Sequence, residues 1–444
     1  MKFSKFGQKF TQPTGISQLM DDLGDALKSD QPVNMLGGGN PAKIEAVNEL
    51  FLETYKALGN DNDKGEANSS AIISMANYSN PQGDAGFIDA LVGFFNRHYE
   101  WNLTAENIAL TNGSQNAFFY LFNLFGGAFA DEHSQDKDSE AVDKSILLPL
   151  TPEYIGYSDV HVEGQHFAAV LPHIDEVTHD GEEGFFKYRV DFEALENLPA
   201  LKEGRIGAIC CSRPTNPTGN VLTDEEMAHL AEIAKRYDIP LIIDNAYGMP
   251  FPNIIYSDAH LNWDHNTILC FSLSKIGLPG MRTGIVVADA KVIEAVSAMN
   301  AVVNLAPTRF GAAIATPLVA DDRMKQLSDD VIKPFYQKQA TLAVKLLKEA
   351  LGDYPLMIHK PEGAIFLWLW FKDLPISTLE LYERLKEKGT IIVPSEYFFP
   401  GVDVSDYQHA HECIRMSIAA DEQTLIDGIA VIGEVVRALY DEAK

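Results

Sequence analysis

Lys275 stands in Ser272-Leu273-Ser274-Lys275-Ile276-Gly277, at the end of the apolar run 267–272 and seven residues before Arg282. An ammonium is costly to bury. A lysine set among apolar neighbours has its pKa pushed down, and its amine can then attack a carbonyl carbon. The bland alternative is a strand-end lysine whose stem lies on apolar surface while its charge reaches water. Three other groups bear on the choice. Asp244 ends the apolar run 239–244 and leads into Asn245-Ala246-Tyr247, while Asn216 sits in Arg213-Pro214-Thr215-Asn216-Pro217-Thr218-Gly219-Asn220, directly after the apolar run 206–211. Gly113-Ser114-Gln115 joins a short apolar strand to an apolar helix. Amides at a helix start, approached closely past a glycine, suit an anion, though a plain cap by Ser114 or Asn112 is the other reading.

One ligand would satisfy all of them if it brought four groups: a carbonyl for Lys275, a protonated ring nitrogen for Asp244, a phenolic oxygen for Asn216 and Tyr247, and an anion for Gly113, Ser114, Ser272, Ser274 and Arg282. Pyridoxal phosphate has all four, and a carboxylate against its ring nitrogen keeps the ring an electron sink.

The elements that must hold these residues follow from the pattern. Apolar runs at 206–211, 239–244, 267–272 and 284–287 alternate with helical spacing, which predicts a mostly parallel α/β sheet. Sites in such sheets gather beyond the carboxyl ends of strands, where Asn216, Asp244, Tyr247, Ser272, Ser274 and Lys275 all fall. Thr223 and Glu226 form a capping box for a helix over 223–237. Met35-Leu36-Gly37-Gly38-Gly39-Asn40-Pro41 is a loop where backbone comes close to something or takes positive φ. Tyr78-Ser79-Asn80-Pro81-Gln82-Gly83 is a turn before a helix at 84–98. After about 310 the texture changes. It reads as helix at 322–351, strand at 364–371, helix at 377–388, strand at 390–394, an alternating strand at 411–418 that carries Arg415, and a helix at 421–442. These make a second, α+β domain that the N-terminal arm joins. The expected limits are 1–60 for the arm and part of the small domain, 61–310 for the large cofactor-binding domain, and 311–444 for the small domain. Residues 1–30 read as an arm with a short amphipathic helix, 59–70 as a polar connector, and 130–144 and 174–187 as polar surface insertions.

The net charge of −28 over 444 residues argues against nucleic acid and anionic membranes as partners. Cys210, Cys211, Cys270 and Cys413 lie in apolar runs without metal-ligand spacing, so no metal site is expected and a reducing compartment is. No apolar run approaches the ~18 residues that cross a bilayer, and the N-terminus shows no secretory pattern, so the expected location is the cytoplasm.

In order and separation, Asn216-Pro217-Thr218-Gly219, Asp244 with Tyr247, and Ser272, Ser274 and Lys275 with Arg282 following resemble the fold-type I pyridoxal-phosphate aminotransferases. The resemblance continues at Tyr78, Gly113-Ser114-Gln115, Tyr154 and Arg415, and covers nearly the whole chain. The runs 35–41, 110–124, 213–220 and 360–374 are similar to members that pair valine with pyruvate. The resemblance implies a role for each residue. Lys275 would bond the cofactor and shuttle the proton at the substrate Cα; Asp244 would pair with the ring nitrogen; Asn216 and Tyr247 would bond the ring oxygen; Tyr154 would stack on the ring. Ser114, Gln115 and nearby amides, Ser272, Ser274 and Arg282 would hold the phosphate, with Tyr78 reaching it from a second subunit of a homodimer. Arg415 would clamp the substrate carboxylate, a planar fork suiting that group, with Gly39 near it at the entrance. The expected reaction takes L-valine, or a similar apolar amino acid, and pyruvate to 2-oxoisovalerate and L-alanine. Members acting on dicarboxylic acids use a further arginine; none is placed here, leaving Arg309 and Arg213 as the candidates. Two alternatives keep the cofactor: another reaction, such as that of a carbon–sulfur lyase or decarboxylase, or a regulator that only senses it. The second is disfavoured by 30 N-terminal residues too few for a winged helix and by the charge.

Overall fold

Uninterrupted apolar runs can be strands only if both faces are covered, and the strands Ile108–Thr111, Leu241–Asp244, Thr267–Ser272 and Gly284–Val287 are buried at every residue. The computed structural model describes residues 1–12, 14, 24, 33–60, 70–130, 141–164 and 166–444. Contacts gather the chain into two compact units. One comprises Asn40–Leu121 and Met227–Phe335; the other comprises Met1–Gly39, Phe122–Glu226 and Tyr336–Lys444.

The first unit is built on those four strands. Thr267–Ser272 runs parallel to Leu241–Asp244, and Gly284–Val287 lies antiparallel between Thr267–Ser272 and Ile108–Thr111. Helices cover the sheet. Ala85–Tyr99 starts at the cap Asp84, whose carboxylate accepts from Phe87 N, and buries Phe87, Ile88, Leu91, Phe94 and Phe95 at helical spacing. Ala290–Val303 starts in the same way at Asp289. The stretch expected as one helix from 322 is two, Arg323–Leu327 and Lys333–Leu351, joined by a π-turn at Ser328–Ile332.

The second unit has Val142–Leu148 parallel to both Ile206–Ser212 and Phe167–Ala169, with Gly127–Phe129 antiparallel to it. A separate six-stranded sheet runs in the order Val393–Pro394, Cys413–Ser417, Phe366–Phe371, Leu356–His359, Glu182–Arg189, His173–His179. A two-stranded parallel pair ties Asn34–Met35 to Thr390–Ile391. Helix Asp224–Arg236 carries its capping box as read: Glu226 N donates to Thr223 Oγ1 and Thr223 N to Glu226 Oε2.

One expectation is corrected. The segment 174–187 is no surface insertion: it lies in the antiparallel hairpin His173–His179 and Glu182–Arg189, two of the six strands. The alternation was hidden because Phe185, Phe186, Lys187 and Tyr188 are all buried in succession, a lysine among them held by an ion pair rather than by solvent. The arm at 1–30, the connector at 59–70 and the insertion at 130–144 fall largely outside the described residues. Within them, Lys5–Phe10 is a helix, and residues 142–144 begin the strand Val142–Leu148.

Candidate active site

The loop after Thr267–Ser272 is shaped by its own backbone. Leu273 N donates to Thr283 O and Leu278 N to Leu273 O, while Ser274 N donates to the Ser272 hydroxyl at 3.1 Å. Gly277 takes φ +119°, and a Cβ there would lie 2.8 Å from Val47 Cγ1. No other residue fits without displacing the helix Glu45–Gly59. Lys275, half-buried on this loop, has its Nζ 5.3 Å from the centroid of the Tyr247 ring.

Asp244 ends the neighbouring strand in register with Cys270. It is buried and accepts from Ala246 N at 3.0 Å. Burial, with the Asp244 charge beside it, pushes the Cys270 thiol well up, so that sulfur stays neutral next to the carboxylate.

A third strand end brings Gly113 against Arg282. Gly113 takes φ +87°, and a Cβ there would sit 2.3 Å from an Arg282 guanidinium nitrogen. Ser114 begins the helix Ser114–Phe125. Gly113 O accepts from Asn116 N and Ala117 N, which closes the first turn of the helix behind Ser114 and Gln115. Arg282, itself left-handed at φ 49°, donates to Asn112 O at 3.5 Å. Ser272, Ser274, Arg282, Gly113, Ser114 and Gln115 thus bring hydroxyls, a guanidinium and helix-start amides together within this unit. Tyr78 stands apart, 83% exposed on a loop whose Ser79 hydroxyl donates to Pro307 O at 3.3 Å.

The second unit carries the remaining residues. Arg415, in Cys413–Ser417, is 2% exposed. Its Nη1 donates to Asn216 Oδ1 at 2.9 Å and its Nη2 to Gly37 O at 2.7 Å, with the guanidinium 4.2 Å from the Phe366 ring centroid. Gly39 is half-buried in the loop that begins with Gly37. Asn216 lies in a turn closed by Thr215 N to Asn220 O and Gly219 N to Thr215 O, both 2.8 Å. Tyr154 packs edge-on against Tyr157 at 5.4 Å, and Gly156 is glycine because a Cβ would strike the Tyr154 ring at 2.4 Å.

Sequence reasoning missed Glu153. Buried beside Tyr154, it accepts from Ser212 N at 2.8 Å, from the Ser212 hydroxyl and from Tyr154 N at 3.2 Å. Adjacency to Tyr154 was the only available signal. Gly37, Lys187 and Glu362 likewise carry no local sequence signal for the bonds that they make.

The donor set fits pyridoxal phosphate: an amine over an aromatic ring, a buried carboxylate one strand away, and at Gly113 a bare backbone approach beside a guanidinium. A family profile, aminotransferase class I and II, matches residues 178–432. The chain belongs to this family. Over 443 residues, with complete coverage of both chains, it is 44% identical to the valine–pyruvate aminotransferase of Escherichia coli (strain K12). A solved structure from Psychrobacter arcticum 273-4, assigned as an amino-acid aminotransferase, is 93% identical, covers 99% of each chain and superposes with a TM-score of 0.96. The valine-pyruvate aminotransferase of Salmonella typhimurium LT2 is 43% identical at a TM-score of 0.83, covering 96% of this chain and all of the other. The fold is α/β, that of the fold-type I aminotransferases.

Proposed function

We propose that this aminotransferase exchanges the amino group of L-valine, or a similar apolar amino acid, with pyruvate, giving 2-oxoisovalerate and L-alanine on pyridoxal 5′-phosphate. The observation that carries the reading is the full-length relationship, at 44% identity, to an enzyme named for that pair. The arginines support it. Arg213 gives Nε to Leu222 O and Nη2 to Asp224, and Arg309 gives Nε and Nη2 to Asp84. Both candidates for recognising a side-chain carboxylate are therefore held by other partners, as an apolar side chain would require.

When bound, the cofactor supplies an electron sink for the charge that develops at the substrate Cα. Lys275 would hold the cofactor through its carbonyl carbon and would carry the proton at the substrate Cα. Asp244 would face the ring nitrogen and favour its protonated form. Asn216 and Tyr247 would hold the ring oxygen, and Tyr154 would cover the ring face. Gly113, Ser114, Gln115, Ser272, Ser274 and Arg282 hold the phosphate. Arg415 binds the substrate carboxylate, with Gly39 at the entrance beside it.

We infer the domain limits to be 61–310 for cofactor binding and 1–60 with 311–444 for the smaller domain. The active species is a homodimer in which Tyr78 serves the second subunit's phosphate. Met75 and Tyr78, with Val302, Val303 and Leu305, are exposed on segments that the Ser79–Pro307 bond joins, an apolar surface suited to a second copy. An active monomer in light scattering would overturn this. The location is cytoplasmic; all four cysteines are buried thiols, and no helix among the described residues is long and apolar enough to cross a membrane.

The test is spectroscopic. L-Valine should bleach the visible band of the holoenzyme and pyruvate should restore it, with one L-alanine formed per 2-oxoisovalerate. Ammonia release without an amino acceptor would assign a lyase instead, and no response to L-valine would reject the donor.

A further inference from the structure

Away from the residues assigned above, the second unit holds a buried ion pair. Lys187 is 3% and Glu362 4% exposed, and Lys187 Nζ donates to Glu362 Oε2. The pair belongs to the loop that carries Asn216 as much as to the sheet. Lys187 Nζ also donates to Asn220 Oδ1 and to Val221 O, each at 3.0 Å, while Glu362 Oε2 accepts from Val221 N at 3.2 Å. Two oppositely charged side chains thus grip both backbone polar groups of Val221 and the side chain of Asn220.

Three observations say the grip serves position. Asn220 is fully buried with its oxygen turned to the ammonium, and its amide nitrogen has no hydrogen-bond partner among the described residues. That orphan donor costs free energy, while the Asn220 oxygen is tied to Lys187. Asn220 O in turn accepts from Thr215 N, closing the turn around Asn216. Gly219 at φ +72° packs so closely that a Cβ would lie 2.6 Å from Gly363 O, next in chain to Glu362. From there the path is one bond long: Asn216 Oδ1 accepts from Arg415 Nη1.

A buried ion pair is poor evidence for stability, since apolar residues of the same volume often serve as well, whereas removing one partner leaves an uncompensated charge. Its directionality is what apolar packing lacks. We propose that the Lys187–Glu362 pair is a positioning device that fixes the Asn216 turn and through it the aim of Arg415 at the substrate carboxylate. This rests on the reading of Arg415 as the carboxylate clamp.

The experiment uses holoenzyme and isovalerate, an unreactive carboxylate with valine's carbon skeleton, bound in a calorimeter, alongside steady-state kinetics with L-valine. Lys187→Met and Glu362→Gln should each weaken isovalerate about tenfold, equivalent to ~1.4 kcal/mol. Each should raise KM for L-valine by a similar factor, with a smaller fall in kcat. Lys187→Arg, which keeps the charge, should recover most of the affinity. Variants that lose thermal stability but bind isovalerate like the parent would show a merely structural pair and overturn the proposal. Should Lys187→Met fail to fold, the isosteric Glu362→Gln and the Lys187→Arg rescue decide alone. Arg415→Ala separates the two readings: if it leaves isovalerate binding unchanged, the clamp is wrong, whatever the Lys187 variants do.

Discussion

Arg415 is fixed by contacts within its own unit. Asn216 Oδ1 and Gly37 O each hold one of its terminal nitrogens, and the Phe366 ring lies beneath it. A long side chain fixed in advance has already lost rotamer freedom, so less is lost on binding. Lys275 contrasts with it, half-buried beside the Tyr247 ring, and the proposed function gives it the proton transfer. Lys275→Ala should therefore remove turnover, by at least the ~10²–10⁴ that a positioned proton carrier contributes, while the thermal midpoint shifts little. Retained transamination in that variant would sink the assigned role. The strand-end placement of Lys275, Asp244 and Asn216 was legible because each stands at or just past an apolar run. Lys187 and Glu362 were not, because a buried lysine 175 positions from its partner reads in sequence as an ordinary surface charge.

At the scale of elements, the helix Ser114–Phe125 meets the strand Ile108–Thr111 through Asn112 and Gly113, and the geometry of Gly113 strains any L-residue. Gly113→Ala asks an L-residue for φ +87° and drives a Cβ into the Arg282 guanidinium. The left-handed conformation alone costs ~1–2 kcal/mol, and the displaced arginine should weaken cofactor binding by the apoprotein about tenfold or more. The apoprotein titrated with pyridoxal phosphate and followed by tryptophan fluorescence checks this; unchanged affinity would remove Gly113 from the phosphate site. Strand–helix alternation, the helix start after Asp84 and the Thr223–Glu226 box were all readable, since local rules suffice for them. The hairpin from His173 to Arg189 was not, because its place in the sheet depends on Leu356–His359, far along the chain.

For the whole molecule, two buried histidines contribute to the response to acid. Tyr188 N donates to His359 Nε2, and the His359 Nδ1 proton goes to Lys360 O, so the neutral ring is already fully used. His409 Nε2 sits 2.5 Å from the Tyr188 hydroxyl, which also accepts from Trp368 Nε1. Burial lowers both rings to about 3. A histidine whose folded pKa lies below its unfolded value of 6.5 contributes stability above pH 6.5, and this is lost as pH falls from there toward 3. Each ring should cost ~1.4 kcal/mol per pH unit in that window, or about 2 kcal/mol by pH 5. Urea midpoints at pH 7.5, 6 and 5 check it, and His359→Asn should shallow the dependence. A midpoint flat across that range would contradict it.

The pairing of Asn34–Met35 with Thr390–Ile391 says something about order in time. Their side chains meet across 356 positions, and closing such a loop costs about 5 kcal/mol of chain entropy. During synthesis, at ~5–20 residues per second, the first strand waits tens of seconds for its mate. Leu36 O finds Ser417 N, and Gly37 O finds Arg415, only after nearly the entire chain has left the ribosome. On the proposed site roles, the nascent enzyme would therefore complete the surroundings of Gly113 and Arg282 well before those of Arg415, so that cofactor capture would precede substrate recognition in the birth of each molecule.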